Sequence, residues 1–317
     1  MARWNAAARY TSALVLTLAL SSCGAAPGPT EADAPGTAQA DAPGTVQAEV
    51  SPHPESTAAA AAPETDWTAL DSAVRDYAAT LPVEFSAAVY DELTGESWTF
   101  EPRTEYFEAS LVKVPMLLTL FREVTDQGRE LTTDEEYLAT QMIRYSDNEA
   151  ARWMYSHIGG APALAATYDL IGVSRTIPGE RWGVTATNAE DQLKIMRTVA
   201  EGADWLREGL RLYLLGLMES VDPSQAWGAS AGAAADGAEV ALKNGWLPDD
   251  ALLWNVHTDG VINAGNARYD IAVLSSGHKT FPDGIVVVEK VARLVYDFEK
   301  SGAADAAGGN AAFGPRP

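Results

Sequence analysis

The order in which apolar periodicities change along the chain constrains its fold more than any other feature. Val83, Phe85, Ala87 and Val89 alternate, as in a strand with one buried face. Asp91 to Gly95 reads as a turn into a second strand around Trp98 and Phe100. From about 110 to 215 the spacing is helical. Strand patterns return at Val240–Leu242, Leu252–Ile262 and Tyr269–Ser275, before a last amphipathic helix from about Gly284 to Glu299. A first helix opens near Asp66, with Trp67, Leu70, Val74 and Tyr77 on one face. If the five strands pair as one antiparallel sheet, the first and last helices cover one face and the helical block the other. The expected class is therefore α+β, a five-stranded antiparallel sheet flanked by helices with an inserted all-helical subdomain.

The ends of the chain read differently. Arg3 and Arg9, the apolar run Thr11 to Leu20 and the small residues after it have the three parts of an export signal over residues 1–22. Leu20-Ser21-Ser22-Cys23 resembles the lipobox of bacterial lipoproteins, which implies lipidation of Cys23 and an extracytoplasmic protein anchored to the membrane. Residues 24–65 hold Ala, Pro, Gly, Thr and scattered acids, with no Lys or Arg. Their tandem octads, 32–39 and 40–47, lack the apolar bulk to build a solenoid. Residues 23–65 thus read as anchor and disordered acidic tether, residues 66–300 as the folded body, and residues 301–317 as a disordered Ala/Gly tail.

Charge and cysteine usage narrow the chemistry. The chain carries 22 Lys and Arg against 44 Asp and Glu, a formal net charge of −22. Residues 66–300 hold 19 of the bases and 37 of the acids, so the body alone keeps −18. A surface that acidic repels phosphate backbones, which argues against a nucleic-acid partner. Cys23 is the only cysteine, so neither an intrachain disulfide nor a thiolate metal cage can form. The four histidines (His53, His157, His257 and His278) include no His-x-His or His-x-x-x-His pair. No metal and no cofactor are expected.

Three short motifs can carry chemistry. Ser110-Leu111-Val112-Lys113 is a Ser-x-x-Lys motif just ahead of the apolar run Val112 to Phe121. On a helix that spacing sets hydroxyl and amine on one face, one turn apart. A partly desolvated lysine can run neutral and take the serine proton. Ser146-Asp147-Asn148 precedes a helix from Glu149 to His157, and Lys243-Asn244-Gly245 follows Val240-Ala241-Leu242 at a strand's end. Taken singly, the first two also fit helix caps and the third a turn after an edge strand. In this order they supply a nucleophile, a base, a second hydroxyl, an amide clamp and a cation.

That order resembles the penicillin-recognising serine hydrolases, and their class A β-lactamase branch most closely, over about residues 66–299. The Tyr90 to Gly95 hairpin, Met142-Ile143-Arg144-Tyr145 and Gly159-Gly160 add to the likeness. The resemblance implies that Ser110 is the acylated nucleophile and Lys113 its base. Ser146 would pass the proton to the leaving nitrogen, Asn148 would hold the substrate amide, and Lys243, with Asn244 and Gly245, would receive the substrate carboxylate. The backbone N–H groups of Ser110 and Trp246 would form the oxyanion hole. It further implies a monomer that binds a β-lactam or a peptidoglycan stem peptide. Hydrolysis of β-lactams is the leading expectation. A D-Ala-D-Ala peptidase with slow deacylation and a non-catalytic wall-binding lipoprotein are the alternatives.

The chain departs from the branch in three places. Ser146 follows Ser110 by only 36 residues, so part of the cleft wall is missing. Asn244 stands where Thr or Ser is usual. The loop after Gly160 lacks the Glu-x-x-Leu-Asn run that activates the deacylating water, which leaves Glu180 as its one candidate replacement. Two patterns read as decoys. Gly228-Ala229-Ser230-Ala231-Gly232 spells a nucleophile elbow but lies in Ala/Gly-rich loop, and Ser276-Gly277-His278-Lys279 begins no helix. Trp153, Trp182, Trp205, Trp227, Trp246 and Trp254 read mostly as core, with Trp182 and Trp246 near the cleft.

Overall fold

The computed structural model describes residues 65–311. The export signal, Cys23 and the tether up to residue 64 lie outside the described residues, as does the tail beyond 311. The sheet is built from β1 (Glu84–Asp91), β2 (Ser97–Phe100), β5 (Glu239–Pro248), β6 (Trp254–Asn263) and β7 (Arg268–His278). Its order is β2-β1-β7-β6-β5, with every neighbouring pair antiparallel. This is the expected α+β sheet, with β2 and β5 at its edges.

One face of the sheet is covered by the two terminal helices, α1 (Thr68–Ala78) and α8 (Phe281–Ala311). Leu70 and Val74 from α1 and Val288, Val291 and Val295 from α8 meet Phe85, Ala87, Val89, Ile271 and Val273 of the central strands. Each such side chain taken from water contributes about 1.5–3 kcal/mol. Helix α8 runs past the expected end at Glu299 to Ala311, so residues 301–311 are helical rather than part of a disordered tail. The Ala-rich run 303–307 favours helix, and no proline interrupts it before Pro315.

The opposite face carries the helical block: α2 (Lys113–Asp126), α3 (Thr133–Arg144), α4 (Asn148–His157), α5 (Gly160–Ile171), α6 (Ala189–Glu201) and α7 (Glu208–Glu219). Helix α2 is buried on every side from Lys113 to Phe121, and packs against α3, α4 and α5. Its sequence is apolar all round, as a central helix must be. Pro115 is tolerated because it falls in the first turn, where its missing N–H would have no intrahelical acceptor. Helix α6 packs on β1, β6 and β7 and so lies between sheet and block.

Two short strands were not visible as periodicities. β3 (Tyr106–Phe107) and β4 (Ala186–Thr187) form a small antiparallel ribbon of their own. His257 of β6 ties that ribbon down: its Nε2 lies 2.8 Å from the Phe107 carbonyl, while its Nδ1 accepts the N–H of Ser275. Burial pushes this imidazole down to about 4. It is therefore neutral at physiological pH, with the proton on Nε2.

Candidate active site

Ser110 lies in a single 3₁₀ turn, Ala109–Val112, that runs directly into α2. Ala109 takes a left-handed φ of 51° where the chain leaves β3 for this turn. Edge strand β5 packs against the turn, and the contact is close enough to require glycine at 245. A Cβ there would stand 3.0 Å from the Leu111 nitrogen and 3.1 Å from the Glu108 carbonyl oxygen. Lys243-Asn244-Gly245 therefore sits inside β5, not at a strand's end as the short run Val240–Leu242 suggested. The strand continues because β6 pairs with it out to Pro248. The backbone at Gly245 and Trp246 thus borders the nucleophile turn, where the oxyanion hole was expected.

Lys113, the first residue of α2 and one turn past Ser110, is fully buried. Its Nζ donates to the Ser146 carbonyl at 2.5 Å, to Ser146 Oγ at 3.1 Å and to Asn148 Oδ1 at 2.9 Å. Lys243 reaches the same hydroxyl from the sheet, 3.0 Å from Ser146 Oγ, and also donates to the Asn244 carbonyl. Ser146 is held for this by a left-handed φ of 57°, while the next residue, Asp147, caps α4 by accepting the Ala150 N–H. With two lysines on its lone pairs, the Ser146 hydroxyl keeps its own proton to donate elsewhere. None of the Lys113 hydrogen bonds goes to Ser110. Burial lowers Lys113 to about 7, against the opposing pull of Asp147. Lys243 is pushed well down by burial first and then by the Lys113 charge, with Asp259 opposing.

The remaining expected residues divide. Asn148 spends its carbonyl on Lys113, and its amide NH2 makes no hydrogen bond among the described residues. Asn244 is buried, and its Nδ2 donates to the carbonyls of Gln225 and Trp227. Its donors therefore anchor the 222–233 loop and are not offered to a substrate carboxylate. Glu180 is exposed and makes neither a hydrogen bond nor an ion pair among the described residues. The decoys behave as structure. Ser230 Oγ donates to Ala226 in a loop that docks on β6 through Thr258, and Lys279 is exposed past the end of β7. Trp153 departs from the core reading: it is 43% exposed on α4, stacked on His157.

Two neighbours, Glu108 and Asp259, went unread in the sequence, and Trp182, expected near the cleft, lies over Lys113. Trp182 opens a short 3₁₀ turn, Trp182–Val184, that packs on the nucleophile turn and sets its indole 5.3 Å from Lys113 Nζ. Glu108, two residues before Ser110, is fully buried and accepts from Tyr168 Oη at 2.8 Å and Gln192 Nε2 at 3.0 Å. Burial pushes its carboxyl up to about 7. Asp259 lies opposite Lys243 in the β5–β6 register, is buried with neither carboxylate oxygen partnered, and is held well above the usual range by desolvation. Of the two unread residues, only Glu108 carried a signal in the sequence, as an acid two residues before Ser110.

Chemically, the arrangement joins a serine at a helix entrance, a buried lysine able to run neutral, a second hydroxyl bridging two lysines and an uncommitted amide. Comparison with solved structures shows the same fold. PBP-A is 23% identical with a TM-score of 0.65, covering 75% of this chain and 99% of that one. A β-lactamase from Chitinophaga pinensis is 17% identical with a TM-score of 0.64, over 72% and 98%. A variant of the class A β-lactamase of the last common ancestor of Gram-negative bacteria is 21% identical with a TM-score of 0.64, over 73% and 98%. No curated protein matches the chain. The model of the Beta-lactamase enzyme family matches residues 132–298, more than half of the chain, including Ser146–Asn148 and Lys243–Gly245. By fold and by sequence, the chain belongs to the β-lactamase enzyme family of penicillin-recognising serine hydrolases.

Proposed function

We propose that the protein is a serine hydrolase acylated by β-lactams at Ser110 and working outside the cytoplasm. The observation that carries this reading is the convergence of Lys113 and Lys243 on one hydroxyl, Ser146 Oγ, beside the Ser110 turn. Neutral Lys113 takes the Ser110 proton as Oγ attacks the lactam carbonyl. The C–N bond then breaks, and the leaving nitrogen receives a proton from Ser146, which is resupplied from Lys113. Lys243 meets the substrate carboxylate, whose charge restores its own, and the Ser110 and Trp246 N–H groups receive the oxyanion. The fold neighbour PBP-A has a mutant captured as an acyl-enzyme complex with penicillin G, which is the adduct proposed here.

Exposed Glu180 favours the second reading, a peptidase of D-Ala-D-Ala ends in which a penicillin adduct persists, because it brings no base to the ester. Intact-protein mass after mixing with penicillin tests both. An adduct on Ser110 is expected; rapid turnover marks the β-lactamase, a lasting adduct the peptidase, and no adduct defeats the proposal. We further propose that Cys23 is lipidated and the acidic segment up to residue 65 tethers the enzyme to the membrane. Cys23→Ala should then release the protein into the soluble fraction, and wild-type protein found wholly soluble would remove the anchor.

A further inference from the structure

Trp182 is held over Lys113 by more contacts than a surface loop needs. The Glu108 N–H donates to the Thr185 carbonyl at 2.7 Å, and Thr185 Oγ1 donates to the Trp182 carbonyl at 3.3 Å. Tyr155 Oη donates to the Gly179 carbonyl from α4. At the loop's base, Asp191 accepts the N–H groups of Ser174, Arg175 and Thr176. The β3–β4 ribbon fixes the far end beside the nucleophile turn. The main chain that carries the indole is thus held at both ends and at Trp182 itself.

We propose that Trp182 fixes the fate of the acyl-enzyme: its indole is a dry cover on Lys113 that favours acylation of Ser110 and then denies water to the ester. The inference rests on the acylation reading above and goes beyond it by assigning the outcome to one side chain. Hydrolysis requires a water to give a proton to a base while its oxygen bonds to the ester carbon and Ser110 Oγ departs to regain a proton. Lys113 is the base of the acylation reading, and the indole faces its Nζ with the ring centroid 5.3 Å away.

Two effects of the ring oppose each other. A cation over an indole face is stabilised by attraction to the ring, whereas removal of water from the amine favours the neutral form. Other groups also face Lys113. Asp147 from the α3–α4 turn favours its charge. Lys243 of β5 shares Ser146 Oγ with it and is itself pushed down by burial and by the Lys113 charge, against the pull of Asp259 of β6. Ser146 and Asn148 are neutral acceptors. Burial lowers Lys113 to about 7 against the pull of Asp147. On the proposed reading, the indole's share in that burial outweighs its attraction for the cation. Trp182 is half-buried, as Ser146 and Asp147 are, and Asn148 is exposed. The indole is the apolar group among these four, so its removal takes away apolar cover and leaves the polar partners in place. It acts through Lys113 and is therefore a positioning residue.

The test follows penicillin acylation across pH 5–10, and adduct lifetime by intact mass, for the full chain and its Trp182→Ala and Trp182→Phe variants. Trp182→Ala should move the acylation midpoint upward by about one pH unit or more. The adduct should decay roughly tenfold faster or more in the same variant. Trp182→Phe should keep both near wild type. Should Trp182→Ala melt below the assay temperature, Trp182→Gln, which fills similar space but carries water with it, gives the same readings. An unmoved midpoint, an unchanged lifetime, or a Phe variant that behaves as Ala overturns the proposal. Wild type forming no adduct at all defeats the acylation reading instead, so the two failures are distinct.

Discussion

The turn Ser146–Asn148 and the loop 173–188 both border Lys113, and they give it opposite things. The turn offers three acceptors within 2.5–3.1 Å, one a hydroxyl shared with a second lysine. From the loop comes an indole, while its one acid, Glu180, stays in solvent. The turn's side ties Lys113 into a hydrogen-bonded cluster with half-buried Ser146 and exposed Asn148, and the loop's side brings it no acid. The difference teaches that one side of a buried lysine can be equipped for proton transfer and the other left bare, which on the proposed reading favours acylation over hydrolysis. Acylation and hydrolysis are then separable by mutation, which the following experiments exploit.

The largest effect is expected at Ser110. Ser110→Ala removes the oxygen proposed to attack, and Ser146, the other hydroxyl beside Lys113, is tied up by both lysines. Penicillin adduct should vanish by intact mass. An adduct forming at the wild-type rate would mean that the nucleophile lies elsewhere and that the turn's relay serves no reaction.

Lys113→Ala should slow acylation by a factor on the order of 10² to 10⁴, as loss of a general base does, without abolishing it. In wild type the same lysine sets the pH profile. Its folded value is lowered to about 7, and only the neutral amine accepts a proton. Acylation should therefore rise with pH, level off above about 7, and fall roughly tenfold per unit below that. Stopped-flow acylation across pH 5–10 checks the sign. A flat profile would move the base away from Lys113.

Gly245→Ala probes the seam between sheet and nucleophile. The added Cβ would meet the Leu111 nitrogen at 3.0 Å and the Glu108 carbonyl at 3.1 Å, both backbone atoms with little room to yield. The turn must give by a few tenths of an ångström, against the roughly 1 Å of misplacement that can cost up to about 10²-fold in rate. Acylation should drop by roughly 2- to 10-fold while the protein stays folded by circular dichroism. A wild-type rate would show that the oxyanion site does not depend on this contact.

Much of this architecture was legible in the sequence, because sheet and helices announce themselves by period. The five strands, the helical block and the three motifs follow from spacing and order. What stayed hidden depends on contacts between distant segments. A two-residue strand such as Tyr106–Phe107 has no period to read, and its partner lies 80 residues on at Ala186–Thr187. Glu108 is buried because Tyr168 and Gln192, from α5 and α6, close over it. Asn244 carries the right donors for a carboxylate, yet the Gln225 and Trp227 carbonyls take them. Residue type sets what a side chain can do, and the packed neighbours decide which of those options remains.

The smallest effect is expected at Glu180, and it sharpens the comparison most. If the loop's acid activated the deacylating water, Glu180→Gln would leave acylation intact and lengthen the adduct's life. Glu180 is exposed, and among the described residues no partner holds it toward Lys113 or Ser110. A carboxylate free in solvent has no fixed geometry from which to take a proton in an attack. Both acylation rate and adduct lifetime should therefore match wild type within experimental error. An adduct that persists several-fold longer in the Gln variant would give the loop a catalytic acid after all, and the two sides of Lys113 would then be equals in chemistry.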